Sequence, residues 1–145
     1  MKKSEREEIV LHSAKKLFDI VIDIESYPDY IPWCKQIVIN EKKKNEIYAD
    51  MFVKYKYILA QKFGSYVRFD RDKLIIETKY IEGPLKDLTT NWKFEKIDNN
   101  KSKIIFSVNF EFKNYLHQKV AETFYPLIEN KMINSFKERA DNILD

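Results

Sequence analysis

The stretch that decides the fold runs from Ile104 to Lys113 and has the sequence IIFSVNFEFK. Apolar and polar side chains alternate along it, which is the pattern of a β-strand with one buried face and one wet face. After it, the apolar spacing changes to three or four residues, which indicates an amphipathic helix over residues 116–143. The predicted inward stripe of this helix is Leu116, Val120, Phe124, Leu127, Ile128, Met132, Phe136, Ala140 and Ile143.

The same alternation recurs upstream, and we predict that each of these segments is a strand of one antiparallel sheet. Residues 42–45, KKKN, suit a hairpin turn between the first two of them. The predicted inward rows are Ile37 and Ile39; Ala49, Met51, Val53, Tyr55, Tyr57 and Leu59; Phe63, Val67 and Phe69; Leu74, Ile76, Thr78 and Tyr80; Leu88, Thr90, Trp92 and Phe94; and Phe106, Phe110 and their neighbours.

The chain begins with a predicted short strand, Glu5 to His12, which has Ile9 and Leu11 on one face. Ser13 suits the N-cap of a helix, because a serine hydroxyl can accept a hydrogen bond from a free backbone amide of the first turn. Apolar residues then follow at helical spacing from Ala14 to Val21, so a helix of about ten residues is expected to end near Ile24.

Length and composition exclude several classes of protein. A chain of 145 residues predicts a single domain, 1–145. One cysteine excludes an internal disulfide framework, and two glycines are too few for a phosphate-binding loop. A net charge of +3 from 26 basic and 23 acidic residues does not point to DNA. The charged N-terminus lacks the apolar core of a signal peptide, so a cytoplasmic protein is expected.

The order of the elements predicts an α+β fold whose sheet packs on the last helix. Six or seven strands at about 4.8 Å spacing span roughly 29–34 Å, whereas a helix with side chains is only about 10–12 Å wide. The sheet must therefore curl around the helix. Its aromatic rows then either fill the interior as a packed core or leave an apolar cavity for a ligand.

Several strings resemble those of the START-like coenzyme Q-binding family, which includes bacterial proteins labelled ribosome association toxins. That family lies within the polyketide cyclase/dehydrase and lipid transport superfamily. The most specific string is residues 23–34, DIESYPDYIPWC; the others are residues 82–88, EGPLKDL; 91–94, NWKF; 108–112, VNFEF; and Met132 with 136–140, FKERA. The resemblance covers essentially the whole chain. It departs from the family pattern at Leu85, where phenylalanine is usual, and at Ser135, where alanine is usual.

This resemblance implies a helix-grip fold of six to seven strands around a long C-terminal helix. It implies a non-catalytic protein with no required cofactor, whose hydrophobic tunnel binds a polyprenyl quinone or related lipid in support of respiration. Peripheral contact with the inner membrane would accompany that role. For some bacterial members the family also implies binding to the large ribosomal subunit and interference with subunit joining.

The predicted ligand-binding residues come from the string after the first helix, from the inward rows and from the last helix. For the string, the alternative is a structural corner that closes one end of the sheet. The residues are Tyr27, Pro28, Tyr30, Ile31, Pro32, Trp33, Tyr55, Tyr80, Leu85, Trp92, Phe94, Phe106, Phe110, Phe124 and Ile128.

Other reactive or charged residues favour plainer interpretations. Cys34 has no identifiable base nearby in sequence and is expected to be a small buried hydrophobe. His12 and His117 lack further metal ligands at suitable spacing, so no metal site is predicted. The lysines of the hairpin and its neighbours, Lys42, Lys43, Lys44, Lys54, Lys56 and Lys62, form either a basic edge for ribosomal RNA or anionic lipid, or the ordinary protection of exposed strands.

These observations give three functional hypotheses, in decreasing order of support: a quinone- or lipid-binding protein, a ribosome-associated factor, and an enzyme such as an aromatic cyclase. The third has the least support, because no acid–base pair falls in the inward rows. A buried carboxylate that faced a large pocket would restore it.

Overall fold

The computed structural model describes residues 2–55, 58–83 and 85–144, with the backbone alone for 55, 58, 59 and 144. Seven strands and two α-helices follow one another, and a 3-10 helix, Ile24–Asp29, comes after the first α-helix. The elements are β1 (Lys2–Val10), α1 (Ala14–Ile22), β2 (Cys34–Lys42), β3 (Glu46–Tyr55), β4 (Ile58–Asp70), β5 (Ile75–Glu82), β6 (Leu85–Asp98), β7 (Lys101–Phe112) and α2 (Tyr115–Leu144).

All seven strands form one antiparallel sheet in the order β1-β7-β6-β5-β4-β3-β2. β1 and β2 are its edges, and α2 follows β7 directly. This architecture confirms the predicted α+β helix-grip, and the predicted N-cap is confirmed by a 3.2 Å hydrogen bond from the Lys16 amide to Ser13 Oγ.

The core forms where the second half of α2 meets the inward rows of the sheet. Ile133, Phe136 and Ala140 are buried there. α1 covers one end of the sheet, because the ring of Phe18 lies 6.4 Å from that of Phe69 and 6.1 Å from that of Phe94. Burying these large apolar surfaces is the main stabilising contribution to the fold.

The single strand predicted through Leu59 is wrong, because the chain reverses there. β3 ends at Tyr55, whose backbone pairs with Ile58, and β4 runs back along β3. Lys56 and Tyr57 lie outside the described residues, as does the side chain of Tyr55. The alternating pattern concealed the turn, since no glycine, proline, asparagine or aspartate marks it.

The prediction for β1 is wrong in both bounds and face. The strand ends at Val10, so Leu11 lies beyond it, and Ile9 faces solvent. The inward face instead carries Ser4, Arg6 and Glu8, whose partners lie on α2 or within the strand. A polar helix surface opposite the strand explains why Ile9 turns outward, whereas Val10 at the end of the strand is buried in the core.

The predicted stripe of α2 is wrong over the first half of the helix. Leu116, Val120, Phe124 and Leu127 are exposed, and Ile143 near the end is exposed as well. The inward face of this half carries Gln118, which is buried and accepts a hydrogen bond from the Phe112 amide at 2.7 Å, together with Ala121 and Tyr125. Apolar residues lie on both sides of this half, so their spacing alone does not identify the inner side.

The orientation of α2 can be tested with two phenylalanines of the same helix. Phe136 is 4% exposed and Phe124 is 54% exposed. We expect Phe136→Ala to lower the free energy of unfolding by about 3–5 kcal/mol, because it leaves a cavity among aromatic rings. Phe124→Ala should change it by less than about 0.5 kcal/mol. Urea unfolding of both variants measures the difference, and equal losses would contradict this orientation.

Candidate functional site

The segment after α1, residues 23–34, packs against the second half of α2. The rings of Tyr27, Tyr30 and Phe136 contact one another edge to face, with centroids 5.4–6.1 Å apart. Ile31 is buried, Tyr27, Pro28, Tyr30 and Trp33 are half-buried, and Pro32 is exposed. The most specific string of the family resemblance, residues 23–34, therefore meets the string at residues 136–140 in space.

Polar groups of this segment are held in an apolar setting. The hydroxyl of Tyr27 donates a hydrogen bond to the carbonyl of Val21, and the guanidinium of Arg139 lies 5.0 Å from the centre of the Tyr30 ring. The buried Tyr30 hydroxyl has no hydrogen-bond partner among the described residues. Burial raises the pKa of both tyrosines, so both stay neutral near pH 7.

A cleft of about 210 Å³ opens beside this segment, between α1 and the end of α2. Two cations and two carboxylates line it, so its wall is polar rather than lipid-like. The lining residues are Lys16, Asp19, Ile20, Asp23, Ser26, Tyr30, Arg139 and Ile143.

Cys34 ends the string and begins β2 in a buried position. Burial raises the pKa of its thiol from 9.0 to about 11, and the Gln36 amide and the Lys35 charge offset this only in part. The thiol is therefore neutral near pH 7, whereas a nucleophile needs the thiolate. The environment matches the prediction of a small buried hydrophobe.

The predicted aromatic residues of the inward rows lie together and contact one another. The ring of Trp92 lies 4.5 Å from Phe106, 5.2 Å from Phe136 and 6.0 Å from Phe94, with which it is stacked. Phe110 lies 5.2 Å from Tyr125 of α2. These contacts have the geometry of a packed aromatic core, which was the alternative to an open cavity.

Two further predicted residues, Tyr80 and Leu85, hold the turn between β5 and β6. The Leu85 amide donates to the Tyr80 hydroxyl at 3.2 Å. Gly83 lies between them with a φ of 139°, and a Cβ there would approach the Lys62 carbonyl oxygen to 2.8 Å. Only glycine suits this backbone and this clearance. Pro84 lies outside the described residues.

A second cleft, of about 480 Å³, opens at this turn. It lies at the end of the sheet where α2 begins, opposite the end that α1 covers. Its lining residues are Tyr80, Ile81, Glu82, Gly83, Leu85, Lys86 and Lys113.

Two predicted residues of α2 fall in different surroundings. Ile128 is half-buried, whereas Phe124 is half exposed. The placing of Phe124 on the inward stripe is therefore wrong, and its role in ligand binding stays a prediction. The mistake has the same cause as the wrong stripe, since both sides of this half of α2 carry apolar residues.

A polar seam joins β1 and α2 that the sequence pattern did not predict; it is formed by Ser4, Arg6, Tyr125 and Glu129. Glu129 is buried, and its Oε2 accepts hydrogen bonds from Tyr125 at 2.5 Å and from Ser4 at 3.2 Å. An Arg6 nitrogen lies 3.9 Å from its other oxygen. Burial, followed by the bond to Glu129, raises the pKa of Tyr125. The charged residues on both faces of β1 could have predicted this seam, because the inward charges of such a strand need polar partners on the element that it packs against.

Glu129 is the buried carboxylate that would favour an enzyme if it faced a large pocket. It lines neither of the two clefts, and its oxygens already bind groups of the protein. Within residues 2–55, 58–83 and 85–144, no group of His, Cys, Asp and Glu side chains has the arrangement of a metal site. No helix in the same ranges is long and apolar enough to cross a membrane.

The predicted basic edge is divided between the two ends of the sheet. Lys42, Lys43 and Lys44 lie at the hairpin before β3. Lys54 lies near the far end of β3, about 26 Å along the strand from its first residue at 3.3 Å per residue. Lys62 lies near that far end and approaches Glu82 to 4.0 Å. Lys56 lies outside the described residues.

The chain is similar in sequence to a known family and to several of its named proteins. The family model described as "Polyketide cyclase / dehydrase and lipid transport" matches residues 10–137. A ribosome association toxin, RatA, of Rickettsia prowazekii is 30% identical over 139 residues, which are 94% of each chain. The mitochondrial coenzyme Q-binding protein COQ10 of Drosophila melanogaster is 28% identical over 90% of this chain and 55% of its own.

A solved structure extends the comparison of the fold. The Zhui aromatase/cyclase of a Streptomyces species superposes with a TM-score of 0.91 over 99% of this chain and 96% of its own. The two sequences are only 13% identical, so this likeness concerns the fold alone.

The state of Cys34 can be tested by its reactivity. Because the pKa of the thiol rises from 9.0 to about 11, the thiolate fraction near pH 8 falls roughly a hundredfold. Iodoacetamide should therefore modify the native protein at least about a hundredfold more slowly than the urea-unfolded protein. Between pH 9 and 11 the unfolded thiol ionises and the folded one does not, so Cys34 lowers stability across that window. The Cys34→Ala variant should lose stability less steeply there, and equal reactivity of the folded and unfolded protein would contradict the assignment.

Proposed function

Because the chain belongs to the polyketide cyclase / dehydrase and lipid transport family, we propose that it is a non-catalytic protein that associates with the ribosome. The observation that carries the proposal is its match along 94% of its length to a protein named ribosome association toxin. The match spans the segment after α1 and the second half of α2, which form one aromatic cluster. The large subunit is the partner that we propose, with interference in subunit joining as the consequence.

The hairpin between β2 and β3 is the surface that we assign to ribosomal RNA. Lys42, Lys43 and Lys44 are exposed at the end of the edge strand β2. Two carboxylates lie near them, at 3.7 Å from Lys42 and 3.5 Å from Lys43. Exposed pairs of this kind are weak, so these lysines remain able to bind phosphates.

The proposal predicts a loss of ribosome binding when the charge of this hairpin is reversed. We expect Lys42→Glu, Lys43→Glu and Lys44→Glu together to reduce co-sedimentation with purified large subunits roughly tenfold or more. The slope of log affinity against log salt should fall by about 3, which is about 1 for each phosphate contact.

The matched control reverses the same number of charges at the other end of the sheet, with Lys54→Glu, Lys62→Glu and Lys86→Glu. Control binding should resemble that of the unmodified protein. Equal losses in both variants, or an unmodified protein that does not co-sediment, would contradict the assignment. In cells, overproduction should lower the 70S peak relative to free subunits in a sucrose gradient, and an unchanged profile would refute the effect on subunit joining.

A second function, binding of a polyprenyl quinone, is favoured by the match to a coenzyme Q-binding protein. We propose that the quinone ring would reach the interior at the cleft beside Gly83. Tyr80 and Leu85, both predicted ligand-binding residues, line that cleft. Trp92 lies in the aromatic core between the sheet and α2, where it would report the bound ring.

Quinone binding can be tested with a single-tryptophan protein. In the Trp33→Phe variant, fluorescence arises from Trp92 alone, and saturable quenching by added ubiquinone is expected. The matched Trp92→Phe variant retains Trp33 and should be quenched less. Organic extraction of the purified protein followed by mass spectrometry should recover a quinone. No extracted quinone or lipid, together with no quenching of Trp92, would exclude this function.

A further inference from the structure

An exposed apolar stripe runs along the outward side of the first half of α2. We call it the outer stripe and define it as Leu116, Val120, Phe124 and Leu127. Each of these side chains is between 53% and 70% exposed. Their spacings of four, four and three residues place them on one side of the helix, because residues at those spacings lie above one another.

The outer stripe is not needed by the fold. Gln118, Tyr125 and Glu129 already attach the opposite side of the same half of α2 to β7 and β1. Scattered single apolar residues on a surface are ordinary, but an aligned set of four marks a binding surface.

The charges around the outer stripe are of one sign. Between 113 and 130, the exposed charged residues are Lys113 and Lys119, and no carboxylate in this range is exposed. Glu122 is half-buried on the flank that turns toward the sheet, and Glu129 is buried against Arg6. The Lys119 ammonium lies 5.4 Å from the centre of the Tyr115 ring, beside the stripe.

Lysines and an exposed apolar side chain are also found at the end of the sheet where α2 begins. Lys86 and Lys113 line the cleft at Gly83 together with exposed Ile81 and with Glu82, whose carboxylate lies 4.0 Å from the Lys62 ammonium. An apolar stripe with lysines at its start and side therefore borders a cleft at the end of the sheet that two lysines and one glutamate line.

We propose that the outer stripe docks this protein on the surface of a bilayer that contains anionic lipids. Leucine, valine and phenylalanine side chains suit the boundary between headgroups and acyl chains. Lysines beside them can extend toward the lipid phosphates, and each adds attraction to an anionic leaflet. This surface is separate from the hairpin proposed for the ribosome, and the inference does not depend on that function.

The charges favour a bilayer over the other occupants of an apolar helix face. A second copy packed stripe to stripe would bring the lysines of both chains together, and like charges repel. Single-stranded RNA is bound by arginines and stacked aromatic rings, whereas three of the four residues here are aliphatic.

Vesicle flotation tests the proposal with the full chain. We expect the protein to float with vesicles of phosphatidylcholine that contain roughly a third phosphatidylglycerol, and much less with phosphatidylcholine alone. Phe124→Gln with Leu127→Gln should lower the partition coefficient roughly tenfold or more, and Lys113→Glu with Lys119→Glu should do the same. Glutamine keeps helix propensity close to that of leucine.

The matched control removes two exposed apolar side chains elsewhere, with Leu11→Gln and Ile97→Gln. It should float like the unmodified protein, and circular dichroism should show that every variant is folded. Failure of the unmodified protein to float, or an equal loss in the control, would overturn the proposal. So would a dimer in analytical ultracentrifugation that Phe124→Gln with Leu127→Gln abolishes, because the stripe would then bind a second copy. Ribosome co-sedimentation by the same variant should be unchanged, which separates this test from that of the proposed function.

Discussion

The packing of Phe136 against Trp92, Tyr27 and Tyr30 is the interaction on which the rest of the structure depends. One side chain of α2 thereby joins the inward face of the sheet to the segment after α1. Large rings in edge-to-face contact bury much apolar surface and constrain relative orientation. The second half of α2 is held in place by this cluster, and the side of the helix that faces the sheet is set at the same point.

The polar seam fixes the orientation of the first half of α2 in the same way. Because Glu129 is buried beside Arg6 and accepts hydrogen bonds from Ser4 and Tyr125, a rotation that buried Phe124 would remove these partners. Leaving the buried carboxylate of Glu129 without its hydrogen-bond donors would be destabilising. The outer stripe is therefore a consequence of two local requirements, an aromatic cluster at one end of the helix and a polar seam beside the other.

The hydrophobic pattern of the sequence predicted the buried side correctly where one face of an element is uniformly apolar. β7 alternates cleanly, with Phe106 and Phe110 buried as predicted, and Trp92 and Phe94 of the β6 row are buried as well, whereas Leu88 and Thr90 are half-buried. It failed at β1 and in the first half of α2, where apolar and polar residues lie on both sides. For such elements, the partner decides which side turns inward, and a periodicity taken from one segment contains no information about its partner.

The candidate site was likewise predictable only in part from the sequence. The string from Tyr27 to Trp33 and the residues around Phe136 were each recognisable, yet their contact joins positions about a hundred residues apart in the chain, and only folding brings them together. The lysines likewise lie at two ends of the sheet because β4 runs back along β3 from Tyr55. No turn-forming residue in the sequence indicated that reversal.

By itself, the sequence determined the class of fold, the helix cap at Ser13 and the family. Each of these depends on local patterning or on strings within single segments. The tertiary structure decided which side of α2 faces the sheet, which charges pair in the interior and which apolar residues remain exposed. Those outcomes depend on matching two surfaces at once, and the free energy of a buried charge or ring is set by the neighbours that the folded chain supplies.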